Sequence, residues 1–438
     1  MSLGACGLTK RLLLVVLGLC AGFSLLSCGG GSSQRRTTSG LPERVLASQG
    51  VSSTTTFGGL FLIDGSNDTI ARVSPLSAGS SPGLMAVNPT RSILTAFDAG
   101  TNSVFAIDTV TEGTLGTVHL PGPTSSMVVP SATRVGYAAV PSATVTGFSF
   151  IGAIDVMNLL GAISTTIAVP NAQTVISNDA GTQLLVFNGT DSIYILSPGI
   201  AVPPVDESCL NNTPNSVCTI VAGFDRPVYG IVSGNTAYIL NCGPQCGGIQ
   251  ASVAVFDLGS LTVTSTIPVE AATWAFLQGS TLYVAGTPAT GNDCSGQTTA
   301  ATVCGRLDVV DLSSQTVSNS YVITDGTHHR MDMSANGQLF VGSYGCTEVG
   351  NVNNPVGEVR GCLSILNTSN GTVVIPPDNG DVTGLQGFTS RDIEYVAEGG
   401  LLRVYDTKKD ILLINDFVPQ GTINIVGNIG DIKAIDFF

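Results

Sequence analysis

The stretches Leu282-Tyr283-Val284-Ala285 and Leu307-Asp308-Val309-Val310-Asp311 decide the fold, because versions of both recur along the whole chain. Each stretch is short, apolar and flanked by turn-forming residues, which is typical of β-strands. The first recurs eight times, at 60–63, 93–96, 136–139, 184–187, 237–240, 282–285, 339–342 and 394–397. The second also recurs eight times, at 70–74, 104–108, 151–155, 193–197, 253–257, 307–311, 363–367 and 402–406. The chain is therefore predicted to be an array of eight internal repeats.

Each repeat has room for four strands. A third segment such as 262–268 follows the two recurrent ones, and a linker then leads into a weaker apolar strand such as 83–89. Four strands in a repeat of roughly 40 to 50 residues are typical of a β-propeller blade. The first blade lacks its innermost strand, and we expect the surplus segment 429–438 to supply it and close the ring. Closure would leave no exposed sheet edge.

The repeats resemble the YVTN or YncE-like family of β-propeller repeats, whose blades carry a tyrosine-valine strand followed by a valine-x-valine-x-aspartate strand. Tyr283-Val284 and Val309-Val310-Asp311 carry this resemblance, which extends over residues 58–438. It implies an all-β fold and says little about activity. Eight blades is the prediction, and seven is the alternative, because seven is more usual in this family and residues 173–221 form the most degenerate unit.

The N-terminus predicts export. Lys10 and Arg11 precede an apolar run, 12–26, which holds 15 residues. A membrane-spanning helix needs about 20 residues, so the run favours a signal peptide. Residues 25–28 resemble a bacterial lipobox, which implies that Cys28 is acylated after cleavage. Ordinary signal-peptide cleavage near residue 21 or 27 is the alternative.

These observations divide the chain into three parts. Residues 1–27 are the predicted lipoprotein signal peptide, residues 28–57 a lipidated flexible tether rich in Gly, Ser and Thr, and residues 58–438 a single propeller domain. The resemblance to lipoproteins implies, through Gly29 after the cysteine, retention in the outer membrane of a bacterial cell envelope.

The charge balance excludes nucleic acid as a partner. The net charge is −14, and it becomes −16 once Lys10 and Arg11 leave with the signal peptide. An acidic surface without a basic cluster repels nucleic acid and anionic lipid headgroups. We therefore expect the lipid to be the sole membrane contact. We also expect the protein to be a monomer, with an unidentified protein or small molecule as its other partner.

Cysteine spacing predicts disulfide bonds. Eight cysteines remain after Cys6, Cys20 and Cys28 are set aside, and an even set in an exported chain favours disulfides. A zinc site is the alternative, but no pair has two-residue spacing and no histidine lies near in sequence. The predicted pairs each lie within one blade: Cys209–Cys218, Cys242–Cys246, Cys294–Cys304 and Cys346–Cys362.

Strand alternation places the long loops of blades 5, 6 and 7 on one face, together with the connections between blades. Those connections bring five candidate binding residues toward the axis: Arg226, Trp274, His328, His329 and Arg330. Histidine is a common metal ligand and general base. Adjacent residues of a strand point to opposite sides, so at most one histidine should face a central channel. Residues 198–218 form a loop on the opposite side.

Three functions fit these features. We favour a non-catalytic binding or scaffold propeller, because no nucleophile, base and orienting group can be identified, and we expect no metal and no cofactor. The alternative is a propeller hydrolase of the lactonase type that uses the loop-rich face. The third is a structural module that assembles with other proteins of the envelope.

Overall fold

The computed structural model describes residues 38–51, 58–130, 134–197, 218–290, 294, 303–347, 349–350, 359–377, 380–415, 418 and 420–436. The described residues from Ser39 onward belong to one compact unit. Their regular secondary structure consists of β-strands, with a short 3-10 helix at Gly243–Cys246. No helix in this part of the chain is both long and apolar enough to cross a membrane.

Eight antiparallel sheets of four principal strands each form the blades, as predicted. From the centre outward, blade 1 contains β35 (Asn428–Ala434), β1 (Arg44–Gly50), β2 (Gly59–Asp64) and β3 (Thr69–Ile70). Blade 2 contains β4 (Pro82–Val87), β5 (Ile93–Asp98), β6 (Ser103–Asp108) and β7 (Gly113–His119). Blade 3 contains β8 (Ser126–Val128), β9 (Val135–Thr144), β10 (Ile151–Asn158) and β11 (Ile163–Ala168). Blade 4 contains β12 (Thr174–Ser177), β13 (Leu184–Phe187), β14 (Ser192–Leu196) and β15 (Cys218–Ala222).

The second half of the ring repeats this order. Blade 5 contains β16 (Pro227–Ser233), β17 (Thr236–Asn241), β18 (Ser252–Asp257) and β19 (Thr262–Pro268). Blade 6 contains β20 (Trp274–Gln278), β21 (Thr281–Gly286), β22 (Gly305–Asp311) and β23 (Thr316–Ile323). Blade 7 contains β24 (Thr327–Met333), β25 (Gln338–Tyr344), β28 (Leu363–Asn367) and β29 (Val373–Val374), with the hairpin β26 (Val349–Gly350) and β27 (Val359–Arg360) inserted. Blade 8 contains β30 (Val382–Gly387), β31 (Ile393–Glu398), β32 (Leu401–Asp406) and β33 (Ile411–Leu412), and β34 (Thr422–Ile423) also pairs with β32.

The innermost strands contact one another in a closed circle, which passes through β4, β8, β12, β16, β20, β24, β30 and β35. Blade 1 closes this circle, because β35 from the C-terminus pairs with β1 from the N-terminus. The predicted closure by the C-terminal segment is therefore confirmed, and so are eight blades rather than seven.

The predicted start of the propeller at residue 58 was wrong. Strand β1 lies within the predicted tether, yet it pairs with β2 on one side and β35 on the other. Residues 60–63 are thus the third strand of blade 1 and not the second. The apolar run at 45–47 is short, and the next two residues, Ser48 and Gln49, are buried polar groups that make the segment read as a linker.

Hydrophobic clusters between adjacent blades form the core. Phe187 of β13, Ile239 of β17 and Phe256 of β18 are fully buried in one such cluster, between blades 4 and 5. Each blade is covered on both faces, so both sets of alternating side chains are buried. Every residue of β5 and β31 is buried for this reason, including the polar residues Thr95, Glu394 and Glu398.

Candidate functional site

A central cavity of about 1220 Å³ runs through the ring, and residues of all eight innermost strands line it. These strands begin at the end of the cavity where the chain passes from one blade to the next. The connections β17–β18, β21–β22 and β25–β28 lie at the same end. We call this end the disulfide face, because these three connections carry Cys242–Cys246, Cys294–Cys304 and Cys346–Cys362.

The three disulfide pairs are bonded as predicted, each within one blade. The fourth predicted pair includes Cys209, which lies outside the described residues. Its predicted partner, Cys218, is disulfide-bonded. Of these bonded cysteines, Cys246 contributes to the lining of the cavity.

Four of the five predicted binding residues line the cavity: Trp274, His328, His329 and Arg330. Arg226 does not. Its Nε lies 3.6 Å from Oδ1 of Asp191 and its Nη1 donates to the carbonyl oxygen of Gly189 at 2.9 Å. The prediction for Arg226 was therefore wrong, because blade 4 supplies partners that hold the guanidinium between blades 4 and 5.

Four of the rings that line the cavity toward the disulfide face belong to three adjacent blades, and we call them the aromatic wall: Tyr229, Trp274, His329 and Tyr344. Tyr229 and Trp274 stack with ring centroids 3.8 Å apart and planes 15° apart. His329 meets Tyr344 edge-on, with centroids 4.7 Å apart. The wall thus spans three adjacent blades, 5, 6 and 7, which also carry the three stapled loops. Sequence reasoning missed both tyrosines.

β-Bulges near the start of the innermost strands explain these side-chain positions. Within β24, His328 pairs with Ser343 and Arg330 with Gly342, so His329 is an extra residue. A similar irregularity precedes Tyr229 in β16. Bulges redirect side chains at the edge of a sheet. They allow His329 and Arg330, which are consecutive, both to line the cavity.

Both adjacent histidines contribute to the cavity lining, although strand alternation alone predicts at most one, because the bulge in β24 interrupts that alternation. His328 is only 1 % exposed, with its Nε2 3.0 Å from the carbonyl oxygen of Thr324. Burial lowers its pKa to about 4. His329 is half-buried, and burial together with the charge of Arg330 lowers its pKa to about 3. Both rings are therefore neutral at pH 7.

The histidine contacts do not form a proton-transfer pair. The ring nitrogen Nδ1 of His329 lies 3.3 Å from the carbonyl oxygen of Thr327, and that of His328 has no hydrogen-bond partner among the described residues. A general base needs an orienting group and a reachable proton donor. Within the described part of the chain, no three His, Cys, Asp or Glu side chains are grouped as a metal site would require.

Arg330 is held by backbone oxygens. Its Nε donates to the carbonyl of Thr383 and its Nη1 to the carbonyl of His329, both at 2.9 Å. No described carboxylate forms an ion pair with it. At the opposite end of the cavity, Lys433 is paired with Asp431 at 2.9 Å, and Arg91 donates to a backbone carbonyl.

Hydrogen bonds between blades fix the rim of the disulfide face. The backbone N–H of Thr287 donates to Gln245 Oε1 at 2.9 Å, which joins blades 5 and 6. The hydroxyl of Thr287 donates to the carbonyl of Gly326 at 2.8 Å, which joins blades 6 and 7. The backbone N–H and hydroxyl of Thr347 both donate to the carboxylate of Asp325 at 2.7 Å. These hydrogen bonds link the described rim residues of blades 5, 6 and 7 to one another.

Solved structures share this architecture. Dihydro-heme d1 dehydrogenase NirN, in complex with DHE, aligns over 92 % of this chain and 77 % of its own, with a TM-score of 0.58 and 11 % identity. The chain has the fold of a β-propeller. A 6-phosphogluconolactonase-like protein from Bacteroides fragilis aligns over 92 % of this chain and 99 % of its own, with a TM-score of 0.49 and 10 % identity.

The comparisons stop at the fold. Hydrazine synthase from Kuenenia stuttgartiensis aligns over 75 % of this chain and 77 % of its own, with a TM-score of 0.42 and 13 % identity. No protein-family model matches the chain, and neither does any curated protein sequence. At such identities a shared propeller fold carries no activity from one protein to the other.

Proposed function

We propose that the protein is a lipid-anchored propeller of the bacterial cell envelope that binds a ligand, without turning it over, at the disulfide-face end of its central cavity. The observation that carries this proposal is the aromatic wall, which lines the cavity directly behind the three disulfide-stapled loops. Concave sites lined by aromatic groups with a few polar groups are the usual form of small-molecule sites.

Preorganisation supports binding at this end. The three disulfides and the hydrogen bonds of Thr287 link described residues of the three loops to one another. Cross-links of this kind reduce the conformational entropy that loops lose on binding, and they therefore favour affinity. The opposite end of the cavity lacks a comparable set of stapled loops among the described residues.

The chemistry of the cavity favours binding over hydrolysis. The pKa values of His328 and His329, about 4 and about 3, make both rings weak bases at neutral pH. Their hydrogen bonds go to backbone carbonyls, which orient the rings but activate no nucleophile. Hydrolysis of a lactone is therefore the alternative function.

Location in the envelope follows from the predicted signal peptide and Cys28, and the disulfides support it. Disulfide bonds persist in oxidising compartments outside the cytoplasm. We propose that acylated Cys28 is the sole membrane attachment and that the outer membrane is its destination.

A thermal-shift screen of the full chain in detergent tests the proposed site. A compound present at 100 times its Kd stabilises the folded state by about 2.7 kcal/mol, which raises the melting temperature measurably. We expect compounds that stabilise the wild type to lose their effect in Trp274→Ala and to keep it in Arg91→Gln, which alters the opposite end.

If compounds keep their effect in Trp274→Ala and lose it in Arg91→Gln, the binding site lies at the opposite end of the cavity, which would contradict the proposal. Lactone hydrolysis by the wild type that is abolished in His329→Ala, with unchanged melting temperature, would replace the binding function with the hydrolase. Tyr344→Phe serves as a matched control, since it keeps the aromatic ring of the wall.

A further inference from the structure

We infer that the ligand is a small molecule in which a flat ring carries a carboxylate group, with the ring against the aromatic wall and the carboxylate on Arg330. This inference rests on the proposed function and adds the chemical class of the ligand. It is drawn from the juxtaposition of four rings and one guanidinium at the same end of the cavity.

The ring preference follows from the wall. Tyr229 and Trp274 stack face to face and are half-buried, so each ring covers one face of the other, and the part of each that lines the cavity remains available to a ligand. Aromatic rings favour offset stacking or edge contacts with other flat rings. His329 and Tyr344 add two further rings to the lining on the blade 7 side.

The charge preference follows from the ionisable groups of the lining. The chain carries a net charge of −14, yet the lining holds three cations, Arg91, Arg330 and Lys433, against two carboxyl groups, Asp332 and Asp431. Lys433 is paired with Asp431. The cavity is therefore a local exception to the acidic surface, and it favours an anion over a cation.

Several N–H donors of Arg330 have no described partner. A guanidinium carries five N–H donors, and two of those of Arg330, Nε–H and one on Nη1, donate to backbone carbonyls. These two bonds fix the plane of the group and leave the remaining N–H groups without a described partner. A planar guanidinium matches a carboxylate with two parallel hydrogen bonds.

Arg330 also lies next to the wall. It follows His329 directly in β24, and its Nη1 bonds the carbonyl of that residue. A ring compound that contacts His329 of the wall can therefore also reach Arg330. Arg91, at the other end, has no comparable aromatic surroundings in the described lining.

Trp274 makes this testable, because it is the only tryptophan of the chain and its fluorescence reports on the wall alone. The full chain in detergent is titrated with 4-nitrobenzoate, whose ring quenches tryptophan emission, and with 4-nitrobenzamide, which has the same ring without the charge. We expect saturable quenching with a Kd at least tenfold lower for 4-nitrobenzoate, and weaker binding at high salt.

The variants separate recognition from a structural role. Arg330→Gln should bring the two Kd values within twofold of each other, while Arg330→Lys restores part of the preference and Arg91→Gln keeps all of it. Circular dichroism and the unfolding midpoint establish that each variant is folded. Loss of the preference in Arg91→Gln but not in Arg330→Gln would overturn the inference.

If 4-nitrobenzoate and 4-nitrobenzamide bind the wild type with equal Kd values, the inference that the ligand carries a carboxylate would be overturned. Absence of saturable quenching by either compound would overturn the whole ligand class. The proposed function is judged separately by the thermal-shift screen, since a neutral compound that loses its effect in Trp274→Ala would leave that function standing.

Discussion

Tyr229 of blade 5 stacks on Trp274 of blade 6, with their ring centroids 3.8 Å apart and their planes 15° apart. Tyr229 is the third residue of β16 and Trp274 is the first residue of β20, so the pair joins the beginnings of two neighbouring innermost strands. Adjacent blades thus share an aromatic surface at the point where the central cavity opens toward the stapled loops.

The stack should contribute measurably to the free energy of unfolding and to the fluorescence of Trp274. Tyr229→Ala removes the ring that covers Trp274, and an aromatic pair contributes about 0.5–1.5 kcal/mol beyond the area that it buries. We expect a lower unfolding midpoint and a shift of Trp274 emission to longer wavelength as water reaches the indole. Tyr344→Ala is the control, because its ring is 46 % exposed and does not cover Trp274. Unchanged emission in Tyr229→Ala would contradict the stack.

Burial of Asp155 favours the neutral form of its carboxyl group over the ionised form. Burial raises the pKa of this carboxyl group to about 6, while hydrogen bonds from Ser164 and Thr166 oppose the shift, and its Oδ2 has no described partner. Because the folded-state pKa exceeds the unfolded value of 3.8, the free energy of unfolding falls as the pH rises from about 4 to about 6.

Asp155→Asn should therefore stabilise the protein at pH 7.5, by up to about 3 kcal/mol from the size of the pKa shift, and give no gain at pH 4. Urea unfolding of wild type and variant at both pH values measures this difference, and other titrating groups cancel between the two. A variant that is less stable than the wild type by the same amount at both pH values would contradict the raised pKa.

Disulfide connectivity can be read directly. Peptide mapping without reduction should give Cys242 with Cys246, Cys294 with Cys304 and Cys346 with Cys362, and we predict Cys209 with Cys218 as the fourth pair. A bond between cysteines of different blades would contradict the assignment. So would a free thiol at any of the eight positions.

The repeat pattern made the fold predictable because each blade is buried on both faces. Of the eight segments that resemble Leu282-Tyr283-Val284-Ala285, seven lie in the second strand of their blade, and 60–63 lies in the third strand of blade 1. Strand β1 escaped because Ser48 and Gln49, although buried, hydrogen-bond to backbone oxygens of Gly83 and Gly50 instead of packing as apolar groups. Buried polar residues that hydrogen-bond to backbone oxygens look like linker residues in a sequence.

The site was predictable only in part. Trp274, His329 and Arg330 follow directly after connections between blades, so their place near the axis could be inferred from topology. Tyr229 depends on a bulge that no sequence pattern announces. Arg226 stands in an equivalent place but is held by an acidic residue of the preceding blade, a tertiary contact that the local sequence does not encode.

Cys28 is the predicted anchor. Cys28→Ser should move the protein from the membrane fraction to the soluble extract and abolish incorporation of labelled fatty acid, because the lipid is the proposed sole attachment. Ser27→Ala, which leaves the acylated residue in place, should keep the protein in the membrane. Unchanged membrane retention of Cys28→Ser would contradict the lipoprotein.

The most direct test of a ligand site at the disulfide face is a crystal structure of the full chain with the compound that gives the largest thermal shift. We predict that the compound contacts Trp274 and at least one further ring of the aromatic wall, and that any carboxylate it carries lies within hydrogen-bond distance of Arg330. A compound bound at the end formed by Arg91 and Lys433, or on the outside of the ring, would contradict the account.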